Sequence, residues 1–276
     1  MLAFPDIDPV IIRIGPIGIH WYGLMYLFSF GAAYLLVRKQ ILEECENTLS
    51  GSQYQGPSAA SQLSQLEGIL FSLVLGIILG GRLGYVLFYN FSYFLEHPLE
   101  IFAVWHGGMS FHGGVAGVVF FGWIYCNKHD LDFWKWSDRF VVTAPVGLGL
   151  GRIGNFINGE LFGRPADVPW AMIFPQGGQV PRHPSQLYEA LLEGLLLFLV
   201  LWSLRRKAWP YGRKLALFLV LYAICRIVVE FFREPDPQMG YVFLSWVTMG
   251  QLLSMVFLAL GIILWWARGK SGGVKN

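Results

Sequence analysis

The chain has 276 residues, of which 55% are hydrophobic, 16% aromatic and only 14% charged, a composition that excludes an ordinary soluble globular domain. A net charge of +2 spread along the chain leaves no footprint for nucleic acid. The three cysteines, Cys45, Cys126 and Cys225, have neither ligand spacing nor an even count, and read as ordinary thiols. Apolar runs of spanning character occur at residues 20–37, 66–89, 112–126, 140–157, 186–204, 215–232 and 242–267. They predict an all-α polytopic membrane protein with seven transmembrane helices, a single integral membrane domain over residues 1–276. The first fifteen residues carry Asp6, Asp8 and Arg13 among prolines and lack the apolar core of a cleavable signal peptide, so the first spanning helix is expected to direct insertion.

Orientation follows from the basic residues between the helices. Alternate connections hold thirteen of them, from Arg38 and Lys39 through Arg205, Arg206, Lys207, Arg213 and Lys214 to Lys275, whereas the others hold four, Arg13, Arg164, Arg182 and Arg233. The N-terminus is therefore expected outside and the C-terminus in the cytoplasm. The connection at 40–65 carries Glu43, Glu44 and Glu46 before a Ser, Gln and Gly-rich run, and predicts a partly disordered cytoplasmic loop without chemistry. Residues 91–110, with Phe94, Phe102 and Trp105, read as an interfacial stretch. Residues 158–184, rich in proline and glycine, predict a small folded external cap. Gly76, Gly80 and Gly84, and separately Gly113 with Gly117, sit at the four-residue spacing of helix packing contacts.

Three arginines lie within the apolar runs, each costly in a membrane unless it is paired or functional. Arg82 falls seven positions before Tyr89, Arg152 five before Ile157 and Arg226 six before Phe232. At ~1.5 Å per residue each sits roughly 8 to 11 Å below the outer end of its helix, which predicts a shared polar cavity suited to an anion. The competing reading is structural ion pairing with Glu160, Glu189 or Glu230, and for Arg82 the two readings stand level. Tyr222, Arg226, Glu230 and Arg233 are spaced four, four and three apart and so line one helical face, where Glu230 is placed to hold both arginines.

Histidines add a titratable group. His106 and His112 lie in the run WHGGMSFHGGVAG, and glycines beside His112 allow close approach. Two histidines six apart without acidic or cysteine partners are poor metal ligands, so no metal or other cofactor is expected. Imidazole titrates near neutrality, which makes His112 the candidate base.

The densest run of polar residues is 151–164, GRIGNFINGELFGR, directly after an apolar segment. It resembles the signature of prolipoprotein diacylglyceryl transferases, and the likeness extends to the Arg226 to Arg233 run, to Phe-His-Gly-Gly at 111–114 and to HPSQLYE at 183–189. The resemblance implies transfer of an sn-1,2-diacylglyceryl group from phosphatidylglycerol to the lipobox cysteine of prolipoprotein signal peptides, in a bacterial plasma membrane with the site facing the periplasm. It also implies that Tyr22 lines the site. Phosphate recognition falls to Arg152 and Arg226, with Asn155, Asn158, Tyr22 and Tyr222 orienting the headgroup, because an arginine fork stays charged and pairs bidentately with phosphate oxygens. Glu160 and Glu230 are expected to fix the arginines, and Arg164 and Arg233 to guide anionic headgroups at the rim. Arg82 completes the candidate binding set. An anion or lipid transporter with the same basic cavity is the alternative.

Overall fold

The computed structural model describes residues 2–5, 7–15, 17–49, 57–235, 241–243 and 247–270. In chain order these form β1 (Leu2–Ala3), β2 (Val10–Ile14), β3 (Ile17–His20), α1 (Trp21–Leu49), α2 (Ala59–Phe88), α3 (Phe91–Glu96), two 3-10 turns (Pro98–Phe102 and Val104–His106), α4 (Phe111–Lys128) and α5 (Phe133–Val141). Then come α6 (Ala144–Ile157), β4 (Met172–Ile173), α7 (Ser185–Glu189), a π-helical stretch (Ala190–Leu196), α8 (Leu197–Ser203), α9 (Arg213–Glu230), β5 (Tyr241–Phe243), β6 (Val247–Thr248) and α10 (Met249–Lys270).

Helix dominates, as the all-α expectation has it, and a few very short strands accompany the helices. Three two-stranded ladders are present: parallel β1–β4, antiparallel β2–β3 and antiparallel β5–β6. Among the described residues, three helical segments are long and apolar enough to cross a membrane: Ala59–Phe88, Ser185–Ser203 and Met249–Gly269. The pair α5 and α6, bent by 43°, makes a fourth if it counts as one span. Polar residues thin the apolar character of the others: tyrosines at 22, 26 and 34 in α1, and Arg213, Lys214, Arg226 and Glu230 in α9. Much of the expected 40–65 loop is helical, because α1 continues through Leu49 and α2 begins at Ala59, where Ser58 accepts a capping bond from the Ser61 amide at 3.2 Å. Residues 50–56 of that loop lie outside the described residues.

Two compact units divide the chain, residues 37–136 and residues 1–36 with 137–276. In the first, α2 and α4 meet along glycines: a Cβ on Gly80 would come within 2.4 Å of the Gly113 carbonyl oxygen, and one on Gly76 within 2.6 Å of the Gly117 oxygen. The spaced glycines are thus packing contacts, as read from their period. After α2 the chain wraps over residues 91–110, leaving Phe102 and Trp105 largely exposed and Phe94 buried.

In the second unit, Val142, Leu197 and Leu201 form a buried nucleus against Leu217, Phe218, Leu221 and Tyr222 of α9. Asp138 accepts from the Gly212 and Leu215 amides, both at 2.9 Å, and so satisfies two of the orphan donors that open α9. The 158–184 segment is folded: β4 pairs with β1, and Phe174 is fully buried among Phe4, Phe156 and Phe162.

Candidate functional site

Close helix approach creates the site. Gly149 of α6 faces Gly194 of the π stretch, where an added Cβ would lie 2.7 Å from the Gly149 Cα, so the two backbones nearly touch. One turn from this contact, Arg152 of α6 meets two glutamates of the α7–π segment: its Nε lies 2.5 Å from Glu189 Oε2 and its Nη2 3.9 Å from Glu193 Oε2. From α9, Arg226 Nη1 lies 3.1 Å from Glu189 Oε1 and 3.5 Å from Glu193 Oε1, while its Nη2 pairs with Glu230 at 2.9 Å. Arg233 adds its Nε 3.9 Å from Glu189 Oε1. Glu230 also accepts from the Thr248 hydroxyl at 2.9 Å, and Gly250 leaves room for its carboxylate.

Three guanidinium groups therefore share three carboxylates in a space where Glu189 and Glu193 are 1% and 0% exposed. Removing one member of such a buried set leaves an uncompensated charge, typically a loss of ~3–5 kcal/mol. Arg152, with 21% of its side chain exposed, is the more open arginine and Arg226, with 8%, the deeper one. The π-helical turn sets Glu189 and Glu193 toward both, and such turns recur at functional positions.

These partners correct two expectations. The cluster is balanced in charge rather than simply basic, so an anion must exchange with, or be shared among, existing ion pairs. Glu160 does not hold an arginine here: its Oε1 accepts from Asn155 Nδ2 at 2.9 Å and Asn158 Nδ2 at 3.1 Å, which pins the two asparagines of the signature to one carboxylate. Gln186 of α7 donates to the Glu160 backbone oxygen at 2.6 Å. Glu230 holds Arg226, and Arg233 reaches Glu189. Glu193 was not legible as a partner by motif; the signal was two glutamates four apart inside an otherwise apolar spanning helix.

Other candidates border this cluster. Arg164 donates to the backbone oxygens of Arg233 at 2.9 Å and Glu230 at 3.3 Å, tying the end of the signature to the end of α9. Tyr22 packs its ring where a Cβ on Gly154 would sit and places its hydroxyl 3.5 Å from that of Tyr26. Tyr222, one turn before Arg226, stacks on Phe218 and tilts against Phe257. Above the cluster, His183 and Tyr188 share a hydrogen bond of 3.0 Å beside Phe232, and Trp170 donates to the Tyr188 oxygen at 2.7 Å. Burial lowers the His183 pKa from its ordinary value.

Residues of the other unit are placed differently. Arg82 is buried and donates to four backbone oxygens, Glu100 at 2.5 Å, Ile101 at 2.9 Å, Gly107 at 2.5 Å and Gly108 at 3.2 Å, with Phe94 5.1 Å beneath it. Its partners are carbonyls, not the carboxylates considered above. His112 is exposed in the first turn of α4, its ring edge-on to Phe111. Among the described residues no group of three or more His, Cys, Asp and Glu side chains converges as metal ligands.

The model of the family described as prolipoprotein diacylglyceryl transferase matches residues 9–267. The chain belongs to that family. A protein of Desulfotalea psychrophila named phosphatidylglycerol--prolipoprotein diacylglyceryl transferase is 52% identical over 272 residues, 96% of this chain and 95% of that protein. Proteins of the same name from Legionella pneumophila and Nitratidesulfovibrio vulgaris are 48% and 47% identical, each over at least 96% of this chain and at least 95% of their own length. The relatives support the transferase reading and give none to the transporter alternative.

Proposed function

We propose that the Arg152, Arg226 and Arg233 cluster with Glu189, Glu193 and Glu230 is where this family member transfers a diacylglyceryl group from phosphatidylglycerol to a prolipoprotein cysteine. The convergence of two arginines from different helices on Glu189 is the observation that carries the reading. In the reaction the cysteine thiol loses its proton, sulfur attacks the glycerol carbon that bears the phosphate ester, that C–O bond breaks, and glycerol phosphate leaves with the electron pair. The product is a thioether.

The greatest need is for fixed positive charge on the departing phosphate, and preorganised donors act most strongly where water is excluded. Glu189, Glu193 and Glu230 supply that preorganisation by fixing the forks. Arg152, the more exposed, meets the phosphate first, and Arg226 follows as the carboxylates release donors. Asn155 and Asn158, held by Glu160, face the headgroup with Tyr22 and Tyr222. His112 takes the thiol proton, and nearby positive charge assists by favouring the thiolate.

The finer topology belongs to the same reading. Helices α1, α2, α4, α5 with α6, α7 through α8, α9 and α10 supply seven spans, with the N-terminus outside, the C-terminus cytoplasmic and residues 158–184 as a periplasmic cap of one membrane domain. The uneven distribution of basic residues between alternate connections supports this orientation. Both substrates, phosphatidylglycerol and the lipobox segment of a prolipoprotein, then reach the site from the outer leaflet of a bacterial plasma membrane. Incubating the purified protein with phosphatidylglycerol and a lipobox peptide should add one diacylglyceryl mass to the peptide cysteine and none to a Cys-to-Ser peptide. Lipid movement across the bilayer without a change in peptide mass would overturn the reading.

A further inference from the structure

The ends of α9 and α10 remote from the arginine–glutamate cluster carry a second arrangement that the transfer reaction does not use. There Leu217 and Val220 of α9 and Ile262, Trp265 and Trp266 of α10 line an apolar groove of about 210 Å³. Ile262 and Trp266 are 46% and 68% exposed, so the groove opens to the surroundings of the helix pair. Gly261 keeps the helices close beneath it, since a Cβ there would lie 2.9 Å from the Ala216 oxygen.

At one end of this groove the chemistry changes to cationic. The Arg213 guanidinium lies 4.9 Å over the Trp265 ring, which itself lines the groove, and Arg213 stands one helical turn before Leu217 on the same face. Trp209 packs edge-on against Trp265 at 5.2 Å and carries the Lys207 ammonium 5.0 Å from its ring. Arg213 Nε is buried and makes no hydrogen bond among the described residues. Asp138, the carboxylate beside this end of α9, already accepts from the Gly212 and Leu215 amides. Cations held over indole rings at the end of an apolar groove match the two halves of a phospholipid: acyl chain below, phosphate above.

We propose that this groove and its rim bind an anionic phospholipid of the bilayer, with one acyl chain between Leu217, Val220 and Ile262 and the phosphate against Arg213 and Lys207. The occupant is anionic because the rim offers cations and indole faces, and it is a lipid because the groove beneath is apolar. The site depends on neither the substrate assignment nor the arginine–glutamate cluster.

Native mass spectrometry of the delipidated full-length protein in detergent tests the proposal, using dioleoylphosphatidylserine and dioleoylphosphatidylcholine as probes. The expected result is at least tenfold tighter retention of phosphatidylserine by the wild type. Arg213→Gln should remove that preference and Arg213→Lys should keep most of it, with transfer to the lipobox peptide unchanged in both. Val220→Trp, which fills the groove, should weaken retention of both lipids. Equal retention of the two lipids by the wild type, or an undiminished preference in Arg213→Gln, would overturn the site. Displacement of the lipid by an equal concentration of inorganic phosphate would overturn its lipid character, because an acyl anchor gives the lipid an advantage that a free anion lacks.

Discussion

Arg82 and Arg226 are both buried arginines on apolar helices, yet their surroundings differ in kind. Arg82 is spent on four backbone carbonyls of residues 100–108 and holds that segment over the end of α2. Arg226 is held by three carboxylates from two helices, two of which, Glu189 and Glu193, it shares with Arg152. Carbonyl partners are fixed by the backbone and have no charge to exchange. Carboxylate partners can be traded for a phosphate of the same sign, which lets a closed ionic network open to an anionic substrate. Burial of an arginine alone therefore does not mark a site; the identity of its acceptors does.

The largest effect should come from breaking that network. Arg152→Lys and Arg226→Lys retain the charge but lose the planar fork, and a point ammonium cannot serve Glu189, Glu193 and a phosphate together. Transfer rates are expected to fall on the order of 1,000-fold in the folded, purified variants. Wild-type turnover in either would return that residue to a structural role like that of Arg82. Next in size is His112→Gln, which keeps hydrogen bonding but cannot carry a proton near neutrality. A loss on the order of 100-fold at pH 7 is expected, with phospholipid binding intact and partial recovery at alkaline pH, where thiolate forms unaided. Equal impairment at every pH would make imidazole a positioning group.

Arg82→Lys sharpens the comparison from the other side. One ammonium cannot reach the four carbonyls now bonded, so amide exchange in residues 100–108 should quicken, with activity reduced by about tenfold or less through misplacement. Unchanged exchange with a raised KM for phosphatidylglycerol would move Arg82 into the phosphate site.

Much of this was legible in the sequence, for reasons that differ by level. The helices followed from apolar runs, and the approach of α2 to α4 from glycines at four-residue spacing, because period and side-chain size are local properties. Depth put Arg82, Arg152 and Arg226 in one polar cavity; Arg152 and Arg226 do share Glu189, whereas Arg82 donates to backbone carbonyls of residues 100–108. Partner choice was not legible. Glu160 turned to Asn155 and Asn158, and Glu193 joined the cluster, through the π-helical turn and the Gly149 to Gly194 contact, both set by tertiary packing. The short ladders escaped because strands of two to five residues carry too little periodicity, and β1 pairs with β4 across most of the chain.

The smallest expected effect concerns His183, which borders the arginine–glutamate cluster without belonging to it. Its half-buried ring lies against Phe232, and its Nδ1 is 3.0 Å from the Tyr188 hydroxyl, whose oxygen already accepts from Trp170. A neutral imidazole accepting the Tyr188 proton completes that chain, whereas an imidazolium would bring a second donor to the same oxygen. Burial lowers the His183 pKa below its ordinary value of 6.5, so in acid the unfolded chain binds this proton more readily than the folded one. The stabilisation is complete above the unfolded value and is lost as the pH falls below it. Melting of the purified protein should therefore drop on going from pH 7.5 to 5.5, and the drop should be smaller in His183→Gln by about 2 °C or less. Carboxylates elsewhere titrate in both proteins, so the difference between the two isolates the histidine. A wild-type drop no larger than that of the variant would show that His183 is protonated as readily folded as unfolded, and His183 would then be the donor to Tyr188, with Trp170 still donating to the same oxygen.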